Sequence, residues 1–288
     1  MEVVRDRASL LAARSGLRGP IGFVPTMGAL HAGHESLLRR ARADCATVVA
    51  SIFVNPTQFG PNEDFERYPR NEAADMALLE ASGVDLCFVP AVEDVYPPGA
   101  STSVDVGHLG EVLEGAARPG HLRGVATVVT ILFSLVQPDR AYLGQKDGQQ
   151  AIVVRRLVRD LGLSPEVVVC PTIREPDGLA LSSRNAYLGD AERAAAVVLS
   201  RALRAAQEAY AAGERSAKKL RGLMRTALER EPLAQVEYVS VADIETLEEV
   251  TDVAGPALAS LAVRLPSARL IDCLVLGDPA GAGFAPDG

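Results

Sequence analysis

The stretch Ile21–His34, IGFVPTMGALHAGH, decides how the chain reads. Ile21, Phe23 and Val24 form a short apolar run of the kind that makes a buried strand. Pro25 closes the run, Gly28 permits a tight turn, and from about His34 a helical face recurs at Leu37, Leu38 and Ala41. A strand that passes through a glycine turn into a helix is a recurrent phosphate site. The first helical N–H groups lack intrahelical partners there, and the helix dipole favours negative charge. His31 and His34 stand at this junction with Gly33 between them, where the missing side chain lets a nucleotide approach the backbone. Imidazoles so placed can donate hydrogen bonds to oxygens that gain charge during phosphoryl or nucleotidyl transfer. The pair reads equally well as two surface histidines on a polar turn. A zinc helix does not fit, because ESLLRR follows His34 and no HExxH pattern forms.

On either side of this stretch, strands and helices alternate. Residues 1–20 are expected to hold a short helix before the first strand. After a helix over Glu35–Asp44, the run Ala46–Val54 (ATVVASIFV) reads as a second buried strand, ended by Asn55-Pro56-Thr57. The polar segment 58–71, QFGPNEDFERYPRN, reads as a mobile loop that could act as a flap. A helix near Glu72–Ser82 leads to a third strand at Val84–Val89. Residues 90–119 are irregular, with a candidate strand at Ser101–Val106. An apolar helix over Arg123–Gln137, a strand at Arg140–Leu143, a helix reaching Leu161 and a strand at Glu166–Cys170 follow. The alternation predicts an α/β fold with a Rossmann-like parallel sheet that binds ligands at the carboxyl ends of its strands. Beyond the junction Pro171–Tyr187 the pattern changes. An Ala-rich helix (Asp190–Ala212) and an amphipathic one carrying Leu220, Leu223, Met224, Ala227 and Leu228 precede strands near Val236–Val241, Ala257–Val263 and Leu270–Leu276. This is the order of a smaller α+β domain, so the expected division is 1–173 and 174–288, the second part serving as a lid. The tail GDPAGAGFAPDG reads as disordered.

Composition narrows the function. At 288 residues, 48% of them hydrophobic, the chain is long enough for a substantial core. A net charge of −8 argues against a broad nucleic-acid surface, so any polyanion must be held in a local basic pocket. The longest apolar run, Val125–Val136, is interrupted by Thr127, Thr130 and Ser134 and is too short to span a bilayer. The N-terminus carries Glu2 and Asp6 and lacks an apolar core segment, so no signal peptide is expected. Cys45, Cys87, Cys170 and Cys273 form no CxxC pair and read as reduced core thiols, which fits a cytoplasmic protein.

Four further segments carry candidate chemistry. Asn55–Phe59, NPTQF, places Gln58 at the carboxyl end of a strand, where its amide could hold a hydroxy-carboxylate without adding charge. Arg118–His121, RPGH, is uninformative alone. Gly144–Gln150, GQKDGQQ, offers Lys146 as a point cation for a triphosphate, Asp147 as a ribose acceptor or helix cap, and Gln150 one turn on. Leu181–Asn185, LSSRN, supplies two hydroxyls and a guanidinium able to grip departing phosphate oxygens.

PTMGALHAGH resembles the HxGH signature of the nucleotidyltransferase superfamily that includes the class I aminoacyl-tRNA synthetases. With GQKD and SSRN in order behind it, the whole chain is similar to the pantothenate synthetase (pantoate–β-alanine ligase) family. That resemblance implies ATP-dependent joining of pantoate and β-alanine through an adenylate, with Mg2+ accompanying ATP, and a homodimer without nucleic-acid or membrane partners. It implies that ATP is bound by Pro25, Thr26, Met27, Gly28, Ala29, Leu30, His31, Ala32, Gly33 and His34, by Gly144, Gln145, Lys146 and Asp147, and by Ile173, Leu181, Ser182, Ser183 and Arg184. His34, His31, Lys146, Ser182, Ser183 and Arg184 would act in catalysis, with Gln58, Gln150 and Asn55 on the acid. Two departures stand out: Gly148 where an aromatic is common, and Gln145 where Glu is frequent. After YPR the chain reads NEAAD, which leaves Asp75 as the candidate side chain for a metal. A phosphopantetheine adenylyltransferase-like enzyme and a catalytically silent nucleotide-binding module are the alternatives. A tRNA ligase is disfavoured by the acidic charge.

Overall fold

In the computed structural model, which describes residues 1–284, the helix expected within residues 1–20 forms, but a short strand precedes it. Glu2–Val4 (β1) precedes the helix Arg7–Gly16 (α1). Three residues of which only Val4 is buried carry too little alternation to announce a strand. The chain then alternates as anticipated through Ile21–Thr26 (β2), Ala32–Asp44 (α2), Thr47–Ile52 (β3), Glu72–Ala81 (α3) and Leu86–Phe88 (β4). Two short helices, Val92–Val95 (α4) and Glu114–Ala117 (α5), punctuate the irregular stretch. The strand expected at Ser101–Val106 does not form. Val104 instead donates its N–H to the Thr127 hydroxyl at 2.9 Å, so a side chain satisfies it in place of a neighbouring strand. His121–Val136 (α6), Arg140–Gly144 (β5), Gly148–Leu161 (α7) and Glu166–Cys170 (β6) follow.

These six strands form one sheet in the order β1-β4-β3-β2-β5-β6, and the pairs β1–β4, β4–β3, β3–β2 and β2–β5 are parallel. The order reverses at β2 and β5, the topological position at which open α/β sheets bind ligands. Pro25 does not end β2, as its identity suggested, but lies within it, opposite Ser51. The pairing of β2 with β5 is confined to Gly22 and Phe23, so the missing proline N–H lies beyond that ladder.

Further along, Asp190–Ala196 (α8) and Val198–Ala211 (α9) divide the expected Ala-rich helix at Val197. Ala217–Leu228 (α10) buries Leu220, Met224 and Leu228 of the expected stripe and half-buries Ala227, but Leu223 lies exposed at the edge of the face. Gln235–Asp243 (β7), Ala257–Arg264 (β8) and Arg269–Leu276 (β9) make an antiparallel sheet in sequence order. Among the described residues, each unit has its own core cluster. One joins Val24, Leu38, Val48, Leu79 and Tyr142, and the other joins Leu199, Leu203, Leu220, Leu261 and Leu274.

The chain divides into two compact units, but not at a single cut near residue 173. The first comprises Met1–Leu143 with Val153–Cys170, and the second comprises Gly144–Ile152 with the chain from Pro171 onward. Gly144–Ile152 groups with the second because the turn at Gln145–Asp147 packs on β9. The tail expected to be disordered is partly built: residues 277–284 form turns, and Phe284 is buried with its N–H on the Pro279 carbonyl at 2.8 Å. The remainder of that expectation lies outside the described residues. Among the described residues, no helix is long and apolar enough to cross a membrane.

Candidate active site

In the first unit, α2 begins two residues earlier than its apolar pattern indicates, because histidines cap it. His31 is the N-cap, and its Nδ1 accepts the Gly33 N–H at 3.1 Å. His34 reaches back, its Nδ1 accepting the His31 N–H at 3.3 Å. The arrangement is a capping box built from imidazoles, with ring centroids 4.1 Å apart. It fixes the chemistry of both rings. Each Nδ1 must be unprotonated to accept, so each neutral ring carries its proton on Nε2 and acts there as a hydrogen-bond donor.

The turn before this helix is held from behind. Gly28 has φ +80° and Ala29 φ +50°. The Gly28 N–H meets the Thr26 hydroxyl at 3.2 Å, while that hydroxyl donates to the Ser51 carbonyl at 2.7 Å. Asp75, 3% exposed on α3, accepts the Ala29 N–H at 2.9 Å and the Leu30 N–H at 2.7 Å, one on each carboxylate oxygen. A Cβ at Gly28 would lie 2.9 Å from Asp75 Oδ2, so glycine is required both for the backbone conformation and for the carboxylate's approach. Asp75, the candidate metal ligand, is therefore turned inward onto the backbone. Among the described residues, no three His, Cys, Asp or Glu side chains are grouped to hold a metal ion. Asp75→Ala should lower the melting temperature by several degrees, since each buried N–H left unpaired costs roughly 1–3 kcal/mol. Thermal unfolding followed by circular dichroism checks this.

NPTQ, just beyond β3, is a polar knot in which Asn55 and Gln58 are buried and Thr57 is exposed. Asn55 is 1% exposed, and its Nδ2 donates to Gln58 Oε1 at 3.0 Å and to the Gly124 carbonyl at 3.2 Å. Its Oδ1 accepts from the Thr57 N–H, the Thr57 hydroxyl and the Tyr96 hydroxyl, the last at 2.8 Å. Asn55, expected on the substrate, thus has both amide hydrogens and its oxygen engaged within the protein. Its effect is to orient Gln58. With Oε1 receiving the Asn55 amide, the Gln58 Nε2 is left as the donor end, and it meets the weak acceptor Met27 Sδ at 3.2 Å. Burial raises the Tyr96 pKa, which keeps its hydroxyl a donor. The segment expected as a mobile flap is a series of turns in which Tyr68 is buried and Pro61, Asn62, Glu66, Arg67, Arg70 and Asn71 are exposed. Phe59 lies edge-on to Phe65 and Tyr68, and Arg70 donates to the Phe65 and Tyr68 carbonyls.

The second unit carries the other phosphate-binding candidates. Gln145–Asp147 is one turn of 3-10 helix, with Lys146 Nζ 3.3 Å from Asp147 Oδ1. The turn is held by Cys273 on β9, whose thiol donates to the Gln145 carbonyl at 3.0 Å. Gly148 is explained by the same neighbour: a Cβ there would lie 2.8 Å from Cys273 Sγ and 3.0 Å from a Leu258 methyl, so with these two side chains opposite, the position has no room for an aromatic. Gln150 is partly exposed in the first turn of α7. Ile173 and Leu181, far apart in the junction, are paired directly, the Leu181 N–H donating to the Ile173 carbonyl at 2.9 Å. Ser182 caps a 3-10 turn over Ser183–Tyr187 by accepting the Arg184 N–H at 3.3 Å. Lys146, Ser182, Asn185 and Asp272 line one small cleft. Asp272, 2% exposed, is paired bidentately with Arg174 at 2.6 and 3.0 Å.

Sequence reasoning missed Tyr96, Arg174, Asp272 and the inward role of Asp75, none of which stands in a recognisable motif. The family profile described as pantoate-beta-alanine ligase matches residues 2–275. A pantothenate synthetase of Roseiflexus sp. (strain RS-1) is 59% identical over 276 residues, covering 96% of this chain and 99% of that protein. The crystal structure of pantothenate synthetase from Thermus thermophilus aligns with a TM-score of 0.92 at 51% identity, over 96% of this chain and 100% of the other. That of the Francisella tularensis pantoate-beta-alanine ligase, complexed with beta-gamma ATP and beta-alanine, aligns at 0.79 and 33% identity, over 96% and 97%.

Proposed function

This chain belongs to the pantoate–β-alanine ligase family, and from that premise we propose that it joins pantoate to β-alanine in two steps driven by ATP. In the first, the pantoate carboxylate attacks the α-phosphorus of ATP, forming pantoyl adenylate and releasing pyrophosphate. In the second, the β-alanine amine attacks the acyl carbon, giving pantothenate and AMP. Neither step needs an enzyme nucleophile, so catalysis rests on positioning and on stabilising the charge that develops on phosphate oxygens.

The observation that carries this reading is the pair of capping imidazoles, each committed through Nδ1 to the backbone and therefore a donor through Nε2. Donors fixed at a helix N-terminus suit a phosphate chain whose charge grows in the transition state. His31, His34, Lys146, Ser182, Ser183 and Arg184 are assigned to that chain, and the backbone of Gly28–Gly33 and Gly144–Asp147 to ATP as well. Ile173 and Leu181 would sit by the adenine. Met27, whose sulfur meets the Gln58 amide, would stand between nucleotide and acid. Gln58 and Gln150 would bind pantoate, with Asn55 acting through Gln58. Mg2+ would be held by the triphosphate oxygens, with Asp147 the nearest carboxylate of the Lys146 turn. We further propose a homodimer acting in the cytoplasm, without a nucleic-acid partner, in keeping with the net charge of −8.

The test is isotope exchange. Labelled pyrophosphate should enter ATP when pantoate is present and β-alanine absent, and a screen of other small carboxylic acids should give far less. A phosphate acceptor replacing pantoate would point instead to an adenylyltransferase, and nucleotide binding without any exchange to a silent module.

A further inference from the structure

The RPGH segment, opaque in the sequence, is spent on the backbone of Gln58. Arg118, with its side chain 12% exposed, grips Glu63 bidentately, Nε and Nη2 donating at 2.7 and 2.6 Å. The same Nη2 reaches the Gln58 carbonyl at 3.3 Å, and Nη1 donates to His121 Nε2 at 3.0 Å. A guanidinium has no acceptor, so His121 Nε2 must be unprotonated. The ring proton is therefore on Nδ1, which lies 2.9 Å from the Gln58 carbonyl and donates to it. One turn on, Gly124 lets the NPTQ backbone rest on α6, since a Cβ there would lie 2.4 Å from the Thr57 carbonyl oxygen and 2.8 Å from Gln58 Cα. Gln58 is thus held at its carbonyl by His121 and Arg118, and at its side-chain oxygen by Asn55.

We infer that Arg118 and His121 are positioning residues for the hydroxy-acid substrate, fixing the Gln58 amide so that its Nε2 donor meets the acid. Glu63 is the hydrogen-bonded counter-ion that keeps the guanidinium in place, with the buried Glu114 a second carboxylate 3.8 Å from Nη1. This rests on the assignment of Gln58 to pantoate. Neutrality of the ring is part of the device: burial, and then the adjacent guanidinium, push the His121 pKa down to about 4. Glu63 keeps its charge despite burial, because its hydrogen bonds and charge pairing with Arg118 outweigh desolvation and lower its pKa. The group holding Gln58 therefore stays an uncharged imidazole throughout the neutral range. Because Glu63 belongs to the segment that follows Gln58, the acid pocket and the 59–70 turns are tied by one ion pair.

The experiment uses the full-length protein and pantoate-dependent pyrophosphate exchange, with Gln58→Leu setting the scale. His121→Ala should raise the KM for pantoate roughly ten- to a hundredfold, since small misplacement of a binding group is costly, and leave the KM for ATP within about twofold. His121→Asn places an amide N–H near the lost Nδ1 and should recover most of the pantoate KM. His121→Gln places its amide near Nε2 instead and should not. Circular dichroism melts on the three variants separate folding from binding, and the Asn/Gln contrast is read only among variants that remain folded at the assay temperature. The inference is overturned by an unchanged pantoate KM in His121→Ala, by equal losses for ATP and pantoate, or by Asn and Gln behaving alike. Absence of pantoate-dependent exchange in the unmodified protein would instead overturn the underlying assignment, and the inference with it.

Discussion

His34→Ala should reduce pantoate-dependent pyrophosphate exchange by ~10²–10³, the usual loss when one donor to transition-state charge is removed, while the protein stays folded. The fold should survive because the His34 ring is partly exposed, and its bond to the helix start is long, 3.3 Å to the His31 N–H. Loss of a helix cap of that kind costs about 1 kcal/mol. The geometry also separates cap from catalyst. His34→Asn can retain an acceptor near the position of Nδ1 and so keep the cap, but it has nothing where Nε2 stood. His34→Gln carries an amide donor out toward that position. Exchange should therefore remain low in His34→Asn and recover in part in His34→Gln, with melting temperatures in the opposite order. Near-normal exchange in His34→Ala would show that the ring is no more than a cap. Because the two rings lie 4.1 Å apart and share the capping box, His31→Ala should not add independently to His34→Ala.

Much of this was legible in the chain, and the parts that were not share a physical cause. Apolar runs alternating with helical periodicity announce a parallel sheet, and they did so for β2, β3 and β5, whose strands are largely buried, and for β6, which is buried only at Val169 and Cys170. β1 escaped because an edge strand with one buried residue has no period to read. Val104 escaped because a threonine on a helix, not a strand, takes its N–H. At the site, HxGH could be recognised as a helix start, yet its imidazole capping box could not, since capping is normally the work of Ser, Thr, Asp or Asn. Asp75 looked like a metal ligand because a carboxylate's sequence position does not reveal what it accepts. Its two backbone donors lie about 45 residues away. RPGH was silent for the same reason, its meaning residing in a carbonyl 63 residues earlier. Gly148, noticed as a departure from the family pattern, makes sense only with Cys273 and Leu258 packed against it. Local periodicity and caps are written locally, whereas the polar bonds that aim a side chain join distant segments.

Lys146→Ala provides the sharpest separation of the two half-reactions. Its side chain is 19% exposed, and the 3.3 Å pair with the half-exposed Asp147 adds little to stability, as partly solvated pairs generally do. The turn itself is held through its backbone, by the Cys273 thiol on the Gln145 carbonyl. Removing the ammonium should therefore leave the fold intact and subtract a point cation from the triphosphate. Adenylation, in which charge moves onto departing pyrophosphate, should slow by ~10² or more. Attack of β-alanine on preformed pantoyl adenylate should slow far less, because pyrophosphate has by then left and the developing charge lies on the acyl oxygen and the departing AMP. Rapid-quench measurement of each half-reaction, starting from ATP with pantoate or from the synthetic adenylate with β-alanine, reads the two rates separately. Equal slowing of both would place Lys146 on the acyl or α-phosphate side, and not on the leaving group. Formation of pantothenate by the unmodified protein with neither pantoate-dependent exchange nor a trappable adenylate would remove the two-step mechanism altogether. The expected signature is an enzyme crippled in making its intermediate but competent in consuming it, which follows only if the cation serves the phosphates that leave in the first step.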